Sequence, residues 1–82
     1  MVITVSDLDK GVKEKVRSAV LVQLFKQFGT LPTDESSIDS VVNPMSGELD
    51  SVVKSYYKDM TEHDVDVNIS AEEYRQVYLH LV

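Results

Sequence analysis

Apolar side chains recur at every fourth position through the first third of the chain, a spacing that places them on one face of an α-helix. They are Leu8, Val12, Val16, Val20, Leu24 and Phe28, with Ala19, Leu21 and Phe25 widening the stripe. Ser6 and Asp9 have the spacing of a loose capping box, and Gly29 is a favourable residue for ending a helix. The pattern predicts a helix over about residues 7–28; Gly11 weakens its first turn, and an extended conformation of the first few residues is the alternative.

Two shorter apolar stripes follow, and each contains the letters DSVV. In the first, Ile38, Val41 and Val42 share a helical face after Thr33, which is a good N-cap residue. Proline lacks a backbone N–H and its ring clashes with the preceding turn, so Pro44 is expected to end this second helix. The two DSVV segments are therefore expected to lie in separate helices.

The second of these stripes is the most regular in the chain and predicts a third helix. Its apolar positions are Leu49, Val52, Val53, Tyr56, Tyr57 and Met60. Its remaining positions are polar or charged: Asp50, Ser51, Lys54, Lys58 and Asp59. This division into an apolar and a polar face is typical of a helix that packs on a core.

The last part of the chain predicts an extended segment followed by a short helix. Residues 64–70, DVDVNIS, alternate in polarity, with the side chains of Val65, Val67 and Ile69 expected to turn towards the core. Ser70 and Glu73 form a capping box before a helix whose inward positions are Tyr74, Val77, Tyr78 and Leu81. The chain as a whole predicts an all-α protein, a small bundle of three or four helices.

Length and composition limit the possible functions. The chain has 82 residues, 43% of them hydrophobic, and no cysteine. A chain of this length forms one small domain with a shallow core, so we expect a single domain over residues 1–82 without a deep catalytic cleft. The absence of cysteine excludes disulfides, thiolate catalysis and cysteine-based metal sites. His63 and His80 belong to no local catalytic or ligand spacing, so no catalytic residue is assigned and an enzyme is not expected.

The net charge of −6 is unevenly distributed along the chain. Residues 1–28 carry five basic and three acidic side chains, whereas residues 29–82 carry three basic and eleven acidic ones. An acidic surface repels nucleic-acid phosphates and attracts basic proteins, so a protein partner is expected rather than DNA or RNA.

The first residues, MVITVSDLD, have the pattern of neither a signal peptide nor a membrane span. We therefore expect a cytoplasmic monomer that does not bind membranes.

The acidic stretch over residues 62–73 has the oxygen-ligand spacing of a calcium loop. The residues at loop positions one, three, five, seven and twelve are Glu62, Asp64, Asp66, Asn68 and Glu73. The sixth position of such a loop turns sharply with a positive φ, and here it is Val67, a β-branched residue that disfavours this conformation. A degenerate calcium module is kept as a third interpretation, and no metal ligand is assigned.

Asp50-Ser51 is, by itself, an ordinary start for a helix, but its surroundings resemble those of a modified serine. The run I-D-x(9)-L-D-S-V over residues 38–52 is similar to the approach to the modified serine in acyl and peptidyl carrier proteins. The segment DVNISAEEY, residues 66–74, resembles the extended segment and acidic pair that follow the second helix in that family. The loop LPTDESSID, residues 31–39, resembles the family's long first loop.

This resemblance implies an acyl-carrier-like helical bundle with a long first loop, in which Ser51 carries 4′-phosphopantetheine and Asp50 lies beside it. Asp50-Ser51 would open a helix, where free N–H groups and the helix dipole favour a phosphodiester. The implied partners are a phosphopantetheinyl transferase and acyl-processing enzymes. The alternative is a small acidic protein-interaction module without a cofactor, which binds a basic surface or mimics nucleic acid.

Overall fold

The computed structural model describes residues 1–80 and contains three helices and one pair of very short strands. In chain order the elements are β1 (Val2–Ile3), a single 3-10 turn (Val5–Asp7), α1 (Lys10–Phe28), α2 (Glu35–Thr61), β2 (Asp66–Val67) and α3 (Ala71–Leu79). β1 and β2 are parallel, with Val2 opposite Asp66 and Ile3 opposite Val67. The predicted all-α helical bundle is confirmed, and it has three helices.

The start of α1 differs from the prediction. Thr4 and Asp7, rather than Ser6 and Asp9, form a capping box, and the backbone N–H of Thr4 donates to Asp7 Oδ2 over 2.8 Å. This box closes the separate 3-10 turn, so α1 begins only after Asp9, whose Oδ1 accepts from the backbone N–H of Val12 at 3.0 Å. At the other end Gly29 caps α1 in the left-handed conformation, as expected, with φ of 70°.

The apolar stripe of α1 is only partly buried. Val12, Val16, Val20 and Leu24 are fully buried, as predicted. Phe25 and Phe28 are not: they are 58% and 40% exposed. Phe25 lies about 100° round the helix from Leu24, on a side of α1 that no other element within residues 1–80 covers. The apolar stripe read from the sequence is therefore wider than the face of α1 that the other described elements cover.

α2 is one continuous helix of 27 residues, and Pro44 lies inside it. The prediction that Pro44 ends a helix is wrong, and both DSVV segments belong to α2. Buried apolar residues lie on both sides of the proline: Ile38, Val41, Val42 and Met45 near it, and Leu49, Val53 and Tyr57 further on. Each such burial is worth about 1.5–3 kcal/mol, so together they outweigh the roughly 3 kcal/mol that a proline costs inside a helix.

The connection between α1 and α2 is shorter than the long first loop that the carrier-protein resemblance implies. α2 begins after Asp34, not Thr33, and Asp34 Oδ2 accepts from the backbone N–H of Ser37 at 2.9 Å. Hydrogen bonds from the side chain and the backbone of Ser37 lower the pKa of Asp34. Residues 29–34 alone join the two helices, so the expected long first loop is replaced by the first turns of α2.

The segment after α2 follows the prediction closely. Val65 and Ile69 are buried, Val67 is half-buried, and the Ser70–Glu73 capping box is present at the start of α3. Of the inward positions predicted for α3, Tyr74 and Val77 are buried. Tyr78 is half-buried against the core, and Leu81 lies outside the described residues.

Tyrosine hydroxyls join the end of α2 to the start of α1. The Tyr57 hydroxyl donates to the backbone carbonyl of Asp7 at 2.8 Å and accepts from the backbone N–H of Asp9 at 3.2 Å. The Tyr56 hydroxyl donates to Asp9 Oδ2 at 3.0 Å. Since the last turns of α2 contact the residues that precede α1, the two helices run antiparallel.

Three polar contacts hold α3 along α2, two made by Arg75 and one by Tyr74. The guanidinium of Arg75 donates to Asp39 Oδ2 at 2.7 Å and lies 3.7 Å from Glu35 Oε2, and the hydrogen bond to Asp39 raises the pKa of Arg75. The Tyr74 hydroxyl donates to Asp50 Oδ1.

None of the described helices combines the length and apolar composition needed to cross a bilayer.

Candidate binding groove between the first two helices

Ser51 lies in the middle of α2 and not at a helix N-terminus. Its Oγ donates to the backbone carbonyl of Gly47, one turn earlier, at 3.2 Å. The expectation that Asp50-Ser51 opens a helix is wrong because α2 already begins at Glu35. The backbone N–H groups around Ser51 are inside the helix, where they bond to carbonyls of the preceding turn rather than to a bound group.

Asp50 faces a different side of α2 from Ser51, since consecutive helical residues are about 100° apart. Asp50 is half-buried and accepts the hydrogen bond from the Tyr74 hydroxyl of α3. Burial of Tyr74, followed by this hydrogen bond and the charge of Asp50, raises the pKa of the tyrosine well above its ordinary value. Asp50 therefore contributes to the contact between α2 and α3, whereas the exposed Ser51 faces the groove described below.

Ser51 lines an open groove of about 670 Å³ between α1 and the second half of α2. The lining residues are Lys15, Glu48, Ser51, Val52, Ser55, Tyr56, Asp59 and Met60. Val52 and Tyr56 are half-buried and form an apolar floor, which Met60 extends with 57% of its surface exposed. Three positions of the predicted apolar stripe of the third helix thus line a surface groove.

A second depression of about 560 Å³ continues the groove along α1. It is lined by Gly11, Glu14, Lys15, Ser18 and Val52, and it shares Lys15 and Val52 with the first. A Cβ atom on Gly11 would lie 3.0 Å from the Tyr56 hydroxyl, so the glycine leaves room for that hydroxyl to reach Asp9. We call the two depressions together the α1–α2 groove.

The rim of the α1–α2 groove is predominantly acidic. Glu14, Glu48 and Asp59 contribute carboxylates and Lys15 contributes one ammonium, all on exposed residues. The hydrogen bond to Asp9, followed by desolvation, raises the pKa of Tyr56. Neither His63 nor His80 lines the groove. The arrangement suits binding of a basic, partly apolar ligand more than acid–base chemistry.

The acidic stretch over residues 62–73 does not form a calcium loop in the described part of the chain. Glu62 ends α2 with φ of 61°, Asp66 lies in β2, and Glu73 Oε1 accepts from the backbone N–H of Ser70 at 2.9 Å. Within residues 1–80, no three histidine or carboxylate side chains are grouped closely enough to hold a metal ion. The ligand positions of a calcium loop are therefore not brought together.

Sequence reasoning singled out Ser51 for another reason and did not predict the groove that it lines. The contribution of α1 through Gly11, Lys15 and Ser18 depends on how two helices pack, which no local pattern shows. One signal was available: the apolar stripe from Leu49 to Met60 is wider than the face that a single neighbouring helix covers. Some of its members therefore had to remain at the surface.

The chain matches no protein-family model, no curated protein sequence and no solved structure. The acyl-carrier resemblance thus rests on the spacing of the residues quoted above. Function is argued below from the geometry and charge of the α1–α2 groove.

Proposed function

We propose that this chain is a small acidic protein-interaction module that binds a basic amphipathic helix of another protein in the α1–α2 groove. The observation that supports the proposal is an open groove with an apolar floor and an acidic rim. An amphipathic helix in a hydrophobic groove is a recurring mode of peptide recognition. The module needs no cofactor for this function.

The floor and the rim of the groove would contribute differently to binding. Tyr56 and Met60 offer apolar surface, and the flexible thioether of methionine adapts to partners of different shape. Glu48 and Asp59 on α2, with Glu14 on α1, would accept hydrogen bonds from lysine or arginine side chains along the polar face of the partner. Apolar burial supplies most of the affinity, and the charges supply orientation and selectivity.

The net charge of residues 29–82, which include the α2 side of the groove, favours the same class of partner. Residues 29–82 carry eleven acidic and three basic side chains. A negative field of this kind raises the association rate of basic partners and repels nucleic acid. It also predicts that binding weakens as salt concentration rises.

A designed amphipathic helix of leucine and lysine is the probe for this function. We expect it to bind and to shift the amide resonances of groove residues, and we expect Asp59→Lys to weaken binding about tenfold. Asp66→Lys is the matched control, because it changes the charge equally on an exposed residue of β2, outside the groove. Isothermal titration calorimetry gives the affinities.

A second peptide completes the experiment. It has the same composition, but its leucines are scrambled so that they form no face, and we expect it to bind much more weakly. The two peptides could bind equally well, or Asp59→Lys and Asp66→Lys could weaken binding equally. Either result would show a general attraction between opposite charges and would refute the proposal that the groove is the binding site.

A second candidate function is the tether implied by the acyl-carrier resemblance, with 4′-phosphopantetheine on the Ser51 hydroxyl. The supporting observation is that Ser51 is exposed at the rim of the groove beside Val52. An arm on Ser51 could lie along the apolar floor, and Lys15 on the opposite wall would face its phosphodiester. Asp50 would act only by holding α2 against α3 through Tyr74.

The tether is tested by intact mass after incubation with coenzyme A and a broad-specificity phosphopantetheinyl transferase. If Ser51 is the tether, we expect the mass of one arm to be added to the natural chain and to Ser55→Ala, which removes a neighbouring groove hydroxyl. We expect no addition to Ser51→Ala. An unchanged mass of the natural chain would contradict this candidate function.

A further inference from the structure

The carboxylates on the α2 wall of the groove lie at its two ends. Glu48 and Asp59 both line the first depression and are eleven residues apart. Eleven residues are three helical turns, so the two side chains point the same way and lie about 16 Å apart along α2. The lining residues of this wall between them are Ser51 and Ser55 at the rim, with Val52 and Tyr56 in the floor. The middle of the wall therefore carries no charge.

The opposite wall places a lysine at the level of this uncharged stretch. A Cβ atom on Gly11 would lie 3.0 Å from the Tyr56 hydroxyl, so these two residues are neighbours across the helices. Because α1 and α2 are antiparallel, Lys15, one turn after Gly11, is level with Val52, one turn before Tyr56. Lys15 and Val52 line both depressions, in agreement with this register.

Lys15 is the charge that α1 contributes to the first depression. Of the described residues of α1, it alone lines that depression. Glu14 lines only the second depression, and consecutive helical residues are about 100° apart, so Glu14 faces a different side of α1. The charges around the first depression are therefore ordered as acid, base and acid along its length.

These charges are available to a bound partner. In the described part of the chain, the ion pairs are those of Lys58 and Arg75. Lys15, Glu48 and Asp59 take part in none of them, and all three residues are exposed. A helix that lies in the groove would therefore meet three charges that no other described side chain neutralises.

A lysine in a groove with an acidic rim discriminates among basic helices. A helix with lysine at every polar position would place one ammonium group beside Lys15, and juxtaposed like charges at an interface weaken binding. A helix with an acidic residue at that position would gain an ion pair instead. Natural interfaces obtain specificity by combining attraction of this kind with repulsion of the wrong partner.

We propose that Lys15 determines which basic helices the α1–α2 groove binds. The preferred helix is basic at both ends of the groove and carries an acidic residue between them, about one turn from one basic residue and two turns from the other. This order follows from Val52, which is four residues after Glu48 and seven before Asp59. The inference rests on the proposed function, because it concerns the same groove.

Three designed leucine–lysine helices test this charge order. The first has lysine at every polar position, the second has glutamate in place of one central lysine, and the third has glutamate in place of one terminal lysine. The second and third have the same composition and net charge, so a general attraction between opposite charges would not distinguish them. We expect the natural chain to bind the central-glutamate helix about fivefold more tightly than the terminal-glutamate helix, measured by isothermal titration calorimetry.

Charge reversal at Lys15 identifies the residue responsible. We expect Lys15→Glu to reverse the preference, so that the terminal-glutamate helix binds more tightly. Lys26→Glu is the matched control, because it makes the same charge change at an exposed residue of α1 that lines neither depression, and it should keep the preference of the natural chain. Circular dichroism verifies that both variants are folded.

The all-lysine helix separates failure of this inference from failure of the proposed function. The natural chain could bind the two glutamate helices equally, or Lys15→Glu could keep the preference for the central glutamate. Either result would overturn the role of Lys15, while the function would stand if the all-lysine helix binds and Asp59→Lys weakens that binding. If none of the three helices binds, both the function and the inference are wrong.

Discussion

Replacing Tyr74 with alanine is expected to lower the free energy of unfolding by about 3–5 kcal/mol. Tyr74 is fully buried and is the largest such side chain in the described residues. The substitution leaves a cavity between α2 and α3 and removes the hydroxyl that donates to Asp50. A chain of this length has a total stability of roughly 4–12 kcal/mol, so most of it would be lost. Urea unfolding followed by circular dichroism measures the change.

Tyr74→Phe is the control for this experiment, because it keeps the ring and removes only the hydroxyl. Its expected cost is about 1 kcal/mol, the net value of one hydrogen bond. The difference between the two variants isolates the contribution of the buried ring. If alanine costs no more than phenylalanine, the ring does not hold α3 on the bundle.

Replacing Pro44 with alanine is expected to raise the free energy of unfolding by about 1–3 kcal/mol. Pro44 is exposed inside α2 and cannot donate a backbone hydrogen bond to the carbonyl of Ser40, one turn earlier. Alanine restores that donor and has the highest helix propensity, while no core contact is changed. Thermal or urea unfolding of the two proteins measures the gain.

Asn43→Ala is the neighbouring control for Pro44→Ala, since Asn43 is also exposed in α2 but already has a backbone N–H. Its expected gain is only about 0.5 kcal/mol, from helix propensity alone. A loss of stability in Pro44→Ala would have a specific meaning. It would show that a bend at the proline is needed for both halves of α2 to reach the core.

The helix pattern of the sequence predicted the bundle well where local signals and tertiary packing agree. α3 and its capping box at Ser70 follow directly from spacing, and so do Gly29 and the buried valines of α1. Pro44 is the main exception. The rule that proline ends a helix fails here because apolar residues of α2 are buried on both sides of Pro44. How much apolar surface α2 buries depends on its neighbours in the fold, which the sequence pattern does not show.

The candidate site was less predictable than the fold, for a geometric reason. The α1–α2 groove combines residues of two helices, and only the crossing of these helices brings Lys15 to the same side as Ser51. In the sequence, Phe25 belongs to the same apolar stripe as the buried valines of α1, and nothing in the pattern marks where the buried part of the stripe ends. Only the structure shows which members of such a stripe lack a neighbour.

The parallel pairing of β1 with β2 has a consequence for how the chain is made. Ile3 is buried against residues that come more than sixty positions later, at Val67 and its neighbours. Closing so long a loop costs conformational entropy that only the completed bundle offsets. During synthesis, Ile3 thus leaves the ribosome long before Val67, and its pairing forms only late in folding.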